Sequence, residues 1–240
     1  MLSERMKDNS SDYEVAKIEL SEEYRKYAEK SYPSNHTYKI LENTIRPKCK
    51  LTLRYQKIKK LFPEKLTSLV DIGCSKGFFI FAASTQLGST RNLGIDIDDY
   101  DIQFCRAVKN HFRNPNVNFE IVQLHELAER IDEFGGPFQT VLLVNTYQYL
   151  YFGSARSSLH YQSHDEIFKS LRKICSERLI FNNRMNLTEC QNIEHINDTN
   201  ETESDNYNEQ KIIESASKYF SIAKRGNIGR YPLWAMDVKR

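Results

Sequence analysis

The 240-residue chain contains no run of 18 apolar residues, so no membrane-spanning helix is expected. Its start, Met1-Leu2-Ser3-Glu4-Arg5, carries acid early and has no apolar stretch behind it, so no secretory leader is expected either. The five cysteines (Cys49, Cys74, Cys105, Cys175, Cys190) stand far apart with no CxxC pair. That spacing predicts neither a zinc site nor a disulfide framework, and points to a reducing, cytoplasmic compartment. Charge of one sign is also missing. Lys and Arg number 34 against 32 Asp and Glu, for a net +2. Such balance does not indicate bulk nucleic-acid binding, and any such role must rest on a local patch. No internal repeat is present. Glycine is scarce, at nine residues. What the chain does have is 14 Tyr and 13 Phe within a 40% apolar composition. That is enough core material for one large domain or two small ones without covalent staples.

Helical spacing dominates the first quarter. Residues 13–31 predict a helix that Pro33 interrupts. A second helical stretch covers 37–45 and a third 48–62, where Leu51, Tyr55, Ile58 and Phe62 step along one face. From residue 66 the character changes to short apolar runs alternating with helices. Strands are predicted at 66–72, 91–97, 117–122, 138–145 and 178–182. Helices are predicted at 77–87, 99–112, 125–134, 163–175 and 210–220. In the fourth of these, Ser163 and Glu166 have the spacing of a capping box. Residues 221–224 and 233–238, joined through Gly226, Gly229 and Pro232, predict a closing antiparallel hairpin. The alternation implies an α/β, doubly wound, mostly parallel sheet with an antiparallel C-terminal hairpin. We expect residues 1–62 to form an N-terminal helical extension to a domain spanning 63–240. Residues 186–209 have almost no apolar content and read as an insertion in that domain.

In such sheets ligands bind beyond the carboxyl ends of the strands, where strand order reverses. The first strand ends in Asp71-Ile72-Gly73-Cys74-Ser75-Lys76-Gly77. Four of the nine glycines, Gly73, Gly77, Gly88 and Gly94, fall between this loop and the second strand. Small residues there allow backbone to approach a ligand, although ordinary strand-to-helix turns use them too. The second strand ends in Gly94-Ile95-Asp96, placing an acid 19 residues after Gly77, where it suits ribose hydroxyls. Asp98, Asp99 and Asp101 crowd the same stretch, so a plain surface acid is the competing reading. A pyrophosphate fingerprint is missing, because Ser75 stands where a dinucleotide site needs its middle glycine and Phe78 where it needs glycine or alanine. That disfavours a nicotinamide-dependent oxidoreductase. Asp71, two residues before Gly73, suits a positively charged ligand.

These motifs, Asp71-x-Gly73-x-Ser75-x-Gly77 followed by Gly94-Ile95-Asp96, resemble the first two motifs of class I S-adenosylmethionine-dependent methyltransferases. Ser75 departs from the family's middle glycine but remains small. The resemblance covers about 66–183 and the closing hairpin. It implies a seven-stranded sheet, parallel except for one strand of that hairpin. It further implies S-adenosylmethionine as cofactor, with Asp71, Gly73, Ser75 and Gly77 around its methionine part. Asp96 would take the ribose hydroxyls, Ile97 would pack on the adenine, and His125 is the candidate for the adenine edge. Gln139 replaces the acid that usually opens the fourth strand. The exit of that strand, from Asn145 to Tyr149, would face the transferred methyl.

Methyl transfer from a sulfonium needs alignment more than activation, so a general base is optional. Tyr147 and His160 are the catalytic candidates; Tyr147 and Tyr149 have aromatic core or pocket wall as their bland alternative. His164, inside its capping box, is expected to be solvated. The acceptor is expected to be a small molecule or sugar-like metabolite. An RNA acceptor is the alternative, resting on Arg46, Lys48, Lys50, Arg54, Lys57, Lys59 and Lys60. Those same residues also fit the solvated face of one helix. A non-catalytic binding module is a further alternative. Because insertions like 186–209 often cover the acceptor pocket in the family, that stretch is either a lid or an inert surface loop.

Overall fold

A computed structural model of the chain describes residues 19–31, 36–154, 160–191 and 205–239. The sheet begins with β3 (Ser68–Ile72), every residue of which is buried. Burial on both faces explains its largely apolar sequence, with Ser68 and Asp71 as the buried polar exceptions. Around it the order is β5-β4-β3-β6-β7-β9-β8, with β4 (Arg91–Asp96), β5 (Val117–Ile121), β6 (Phe138–Val144) and β7 (Cys175–Asn182). These five strands pair in parallel. The last two, β8 (Phe220–Ile228) and β9 (Tyr231–Val238), form the expected hairpin, and β9 runs antiparallel to both β7 and β8. This is the seven-stranded arrangement implied by the resemblance. Strand order reverses between β3 and β6, so the tips of β3, β4 and β6 form the switch point.

Each face carries its own apolar cluster. One is built with α3 (Phe78–Leu87) and α4 (Asp99–Phe112). Phe78 to Ala83 of α3 are all buried, which is why that helix is apolar all round. The other cluster is built with α5 (Leu124–Glu129), α6 (Tyr147–Phe152), α7 (His164–Ile174) and α8 (Glu209–Tyr219). At the base of the sheet, the Gln139 amide oxygen accepts from Thr67 N–H at 2.7 Å while its nitrogen donates to Glu177. It thus knits the starts of β3, β6 and β7.

The N-terminal part departs from expectation. Helix α1 runs Glu22–Lys30, and α2 runs Cys49–Lys59. Residues 13–18 of the first expected helix lie outside the described residues. The helix expected over 37–45 is instead an antiparallel pair, β1 (Tyr38–Ile40) and β2 (Ile45–Pro47). The cause is burial with period two: Tyr38 and Ile40 are buried while Lys39 is exposed. Tyr38 is further fixed by donating its hydroxyl to the Lys76 carbonyl at 2.6 Å. Leu51, Tyr55 and Ile58 of α2 share a cluster with Leu69 and Phe78, so these residues pack into the core of the sheet itself. Among the described residues, no helix is long and apolar enough to cross a membrane.

Candidate active site

The loop after β3 turns on glycine and close contact. Gly73 has φ +73°, and a Cβ there would lie 2.4 Å from Thr146 Oγ1. The turn therefore brings the β3 and β6 tips together in a way no larger residue permits. Ser75 takes a left-handed φ of 46° without being glycine. Its N–H donates to Asp96 Oδ2 at 2.8 Å. The other carboxylate oxygen, Oδ1, accepts from the N–H groups of Ile97 and Asp98 at 2.8 and 3.1 Å. Asp96 is thus held at the β4 tip by backbone, which fixes where its remaining lone pairs point.

The competing acids are otherwise engaged. Asp98 caps α4, accepting from Tyr100 and Asp101 N–H. Asp99 accepts from the Gln103 amide. Asp101 accepts the Tyr27 hydroxyl at 2.6 Å.

Above these tips lies a cleft of about 940 Å³. Gly73, Ser75, Asp96, Ile97, His125, Asn145 and His160 all line it. Ile97 is 36% exposed, an apolar surface that suits the face of a flat base. Asn145 has φ +59°, and its side-chain oxygen is buried without a hydrogen-bond partner. An orphaned acceptor on a cleft wall fits a cationic donor such as a ligand ammonium. The groups present therefore fit a nucleoside bearing an amino-acid tail.

Three sequence candidates sit elsewhere. Gly77 is the left-handed N-cap of α3, and a Cβ there would strike Phe119 and Cys105, so it serves packing and does not line the cleft. Asp71 is buried behind the cleft, in a small neighbouring cavity with His36 and Lys76. Burial, then the charge of Asp96, pushes its pKa up to about 7, against a lowering by Arg54. Tyr147 is fully buried and does not line the cleft. Its hydroxyl lies 2.7 Å from His164 Nδ1, so its place is the aromatic core; Tyr149 reaches the cleft instead.

His164 is not solvated as expected. Its Nε2 lies 2.9 Å from the Asn206 carbonyl, which can only accept, so Nε2 carries the proton and Nδ1 accepts from Tyr147. Burial lowers its pKa. Ser163 does cap Glu166 N–H, but the complete capping box is formed by Gln123 and Glu126 at α5.

Several residues were not singled out by sequence. Buried Asn183 accepts from the N–H groups of Thr146 and Tyr147 at 2.8 and 2.9 Å and donates to the Leu143 carbonyl at 2.7 Å. One amide thereby caps α6 and ties it to β6. Gln148 pairs with both backbone groups of Gln191. The N-terminal segment contributes Tyr27 and His36 to the cleft wall, together with Lys50 of the basic run already noted in the sequence. Only an aromatic or cationic residue type marked these positions, and many others share it. The basic run of α2 is also dispersed: Arg54 is buried, Lys48 pairs with Glu29, and Lys57 donates to the Asn227 carbonyl.

A family model described as a methyltransferase domain matches residues 63–224. No curated protein matches the sequence. Among solved structures, one of WbdD aligns with TM-score 0.58 at 16% identity, covering 79% of this chain and 36% of that one. The present chain thus spans about a third of WbdD's length. The N-methyltransferase NodS from Bradyrhizobium japonicum WM9 aligns with TM-score 0.54 at 14% identity, covering 80% of this chain and 97% of that one. An O-methyltransferase family protein from Burkholderia thailandensis aligns with TM-score 0.52 at 14% identity, covering 78% of this chain and 56% of that one. At these identities the structural likeness shows fold alone. The family match over 63–224, joined to this strand order, places the chain in the class I S-adenosylmethionine-dependent methyltransferases.

Proposed function

We propose that the chain transfers a methyl group from S-adenosylmethionine to a small-molecule acceptor bound in the same cleft. The observation that carries this reading is the Asp96 carboxylate, fixed by three backbone N–H groups at the cleft mouth beside the Gly73–Ser75 turn. When bound, the cofactor supplies an already activated methyl group, so alignment and exclusion of water are the protein's share. Asp96 receives the ribose hydroxyls on the lone pairs its backbone donors leave open. Ile97 packs on the adenine, with His125 at its edge. Asn145 Oδ1 receives the ammonium of the methionine part, and Gly73 and Ser75 let the backbone pass close beneath it. Tyr149 and His160 line the acceptor side. Where the acceptor must lose a proton early, an imidazole nitrogen of His160 accepts it.

Calorimetric titration with S-adenosylhomocysteine tests this. Asp96→Ala removes two charge-assisted hydrogen bonds, at about 1.5–3 kcal/mol each. Affinity is expected to fall about 100-fold or more. An unchanged dissociation constant would assign the ribose to another acid. Absence of binding to the wild-type protein at about millimolar ligand would favour a non-catalytic module.

A further inference from the structure

The cleft is electrically two-ended. Asp96, Asp98 and Asp101 line it at β4 and the start of α4. Toward the tip of β7 the charge reverses. Arg184, two residues beyond β7, lines the wall there; Lys50, in the first turn of α2 next to Leu51 of the small cavity beside Gly73, lines the same cleft. Arg54 lies one turn beyond Lys50, buried, with its guanidinium 2.9 Å from His36 Nε2. Among the described residues, none of Lys50, Arg54 and Arg184 forms an ion pair within 4.0 Å.

The charges facing this end do not cancel. Asp71 is the carboxylate that acts on Arg54, and burial holds it near 7, so at neutral pH it is only partly ionised. Glu166 also lines the cleft, 3.8 Å from Lys169. Burial lowers the Arg54 pKa to about 10, Asp71 partly offsets this, and the like charge of Arg184 adds to the lowering. Crowded, poorly neutralised cations in a cleft are costly unless an anion arrives to meet them.

Arg184 is already oriented for that role. One Nη2–H donates to Gln191 Oε1 at 2.7 Å, and the guanidinium carbon lies 5.3 Å from the Tyr231 ring centroid. Its Nε–H is buried without a partner. Position separates it from the cofactor. The Gly73 loop follows β3, whereas Arg184 follows β7, two strands away in the sheet. At about 4.8 Å per strand that is a displacement of about 10 Å, toward the acceptor side.

Building on the cofactor reading above, we propose that the methyl acceptor carries an anionic group, a carboxylate or a phosphate, and that Arg184 and Lys50 hold it. Phosphate and acetate, titrated separately into the complex of the full chain with S-adenosylhomocysteine, test the site. Saturable uptake of one of them at about millimolar concentration is expected. Tighter phosphate would indicate a phosphate ester and tighter acetate a carboxylate. Arg184→Gln and Lys50→Gln should each weaken that uptake about 10-fold and change S-adenosylhomocysteine affinity less than about 2-fold. Lys50 is exposed, so its variant is expected to fold even where the Arg184 variant does not.

Two results overturn the proposal while leaving the cofactor reading intact. One is no saturable uptake of either anion by the wild-type complex. The other is an Arg184→Gln protein that loses about 10-fold or more for S-adenosylhomocysteine yet binds 5′-methylthioadenosine, which lacks the amino-acid tail, as before. That would assign Arg184 to the cofactor's own carboxylate. Failure of the wild type to bind either nucleoside removes the cofactor reading, and the proposal with it.

Discussion

The two ends of the cleft are built by different means. At the β3–β4 tips the backbone does the holding: N–H groups clamp Asp96, and Gly73 admits Thr146 where a Cβ cannot fit. At the β6–β7 tips side chains do it: Asn183 caps α6, Gln148 grips Gln191, and His164 joins Tyr147 to Asn206. A backbone-built site needs few residue types, in fixed order, and so leaves a motif. A side-chain-built site can be assembled from many combinations and leaves none. The first suits a constant ligand, and the second can be rebuilt for different acceptors.

The sharpest way to break this contrast is Asn183→Leu. It orphans two N–H groups and one carbonyl, and should cost about 3–5 kcal/mol. Thermal midpoints should fall by roughly 6–15 °C. Below that midpoint, S-adenosylhomocysteine affinity should stay within about 3-fold of wild type while turnover is lost. A parallel loss of cofactor affinity would show the ends to be one unit. Gly73→Ala is the converse. Its left-handed φ and the clash with Thr146 predict a loss of about 2–3 kcal/mol, with cofactor binding hit first.

Acid should separate the ends more gently. Burial, with Arg54 and Lys76 adding to it, lowers the His36 pKa to about 3, so its contribution is present above the unfolded 6.5 and is lost as pH falls. Asp71, raised to about 7 from 3.8, works oppositely: its contribution is present below 3.8 and is lost as pH rises through 7. Between 3.8 and 6.5 the two slopes oppose each other in the small cavity that His36 and Asp71 share beside Gly73, at the β3 tip. His164 at the other end is also lowered by burial, and no carboxyl with a raised pKa is among the causes of its shift. Protection factors, which correct for the slower intrinsic exchange in acid, should therefore fall at α6 before the β3–α3 loop as pH drops below about 6.5. Asp71→Asn should remove the offset and steepen the acid loss of overall stability, read from urea midpoints. The smallest effect is expected from Ser75→Gly, which relieves a left-handed non-glycine residue and should gain under about 1 kcal/mol.

Legibility in the sequence follows the same division. The parallel strands and the helices between them were readable because burial on both faces leaves largely apolar runs and helix faces leave a period. The position of Asp96 at the second strand's end was readable from its distance to the glycine loop, and both it and Asp98 line the cleft, Asp98 as a helix cap. The pair β1–β2 was misread because three-residue strands are too short to show a period against neighbouring helices. Arg54 was counted with a solvated basic face because only the fold reveals that it turns inward with Leu51 and Tyr55. His164 was misread as solvated and Asn183 was not read at all, since their partners are 17 and 42 residues away for the first and 36 to 40 for the second.

The placement of β9 between β7 and β8 has a consequence during synthesis on the ribosome. Strand β7 is complete at Asn182, but the neighbour that covers its far side begins only at Tyr231. At about 5–20 residues per second, that flank stays unpaired for several seconds while the intervening stretch is made. Exposed flanks of this kind invite pairing with other nascent chains. The Asp237 carboxylate closes on Arg178 at 2.6 Å, so the late-made strand is fastened to β7 by an ion pair as well as by its ladder.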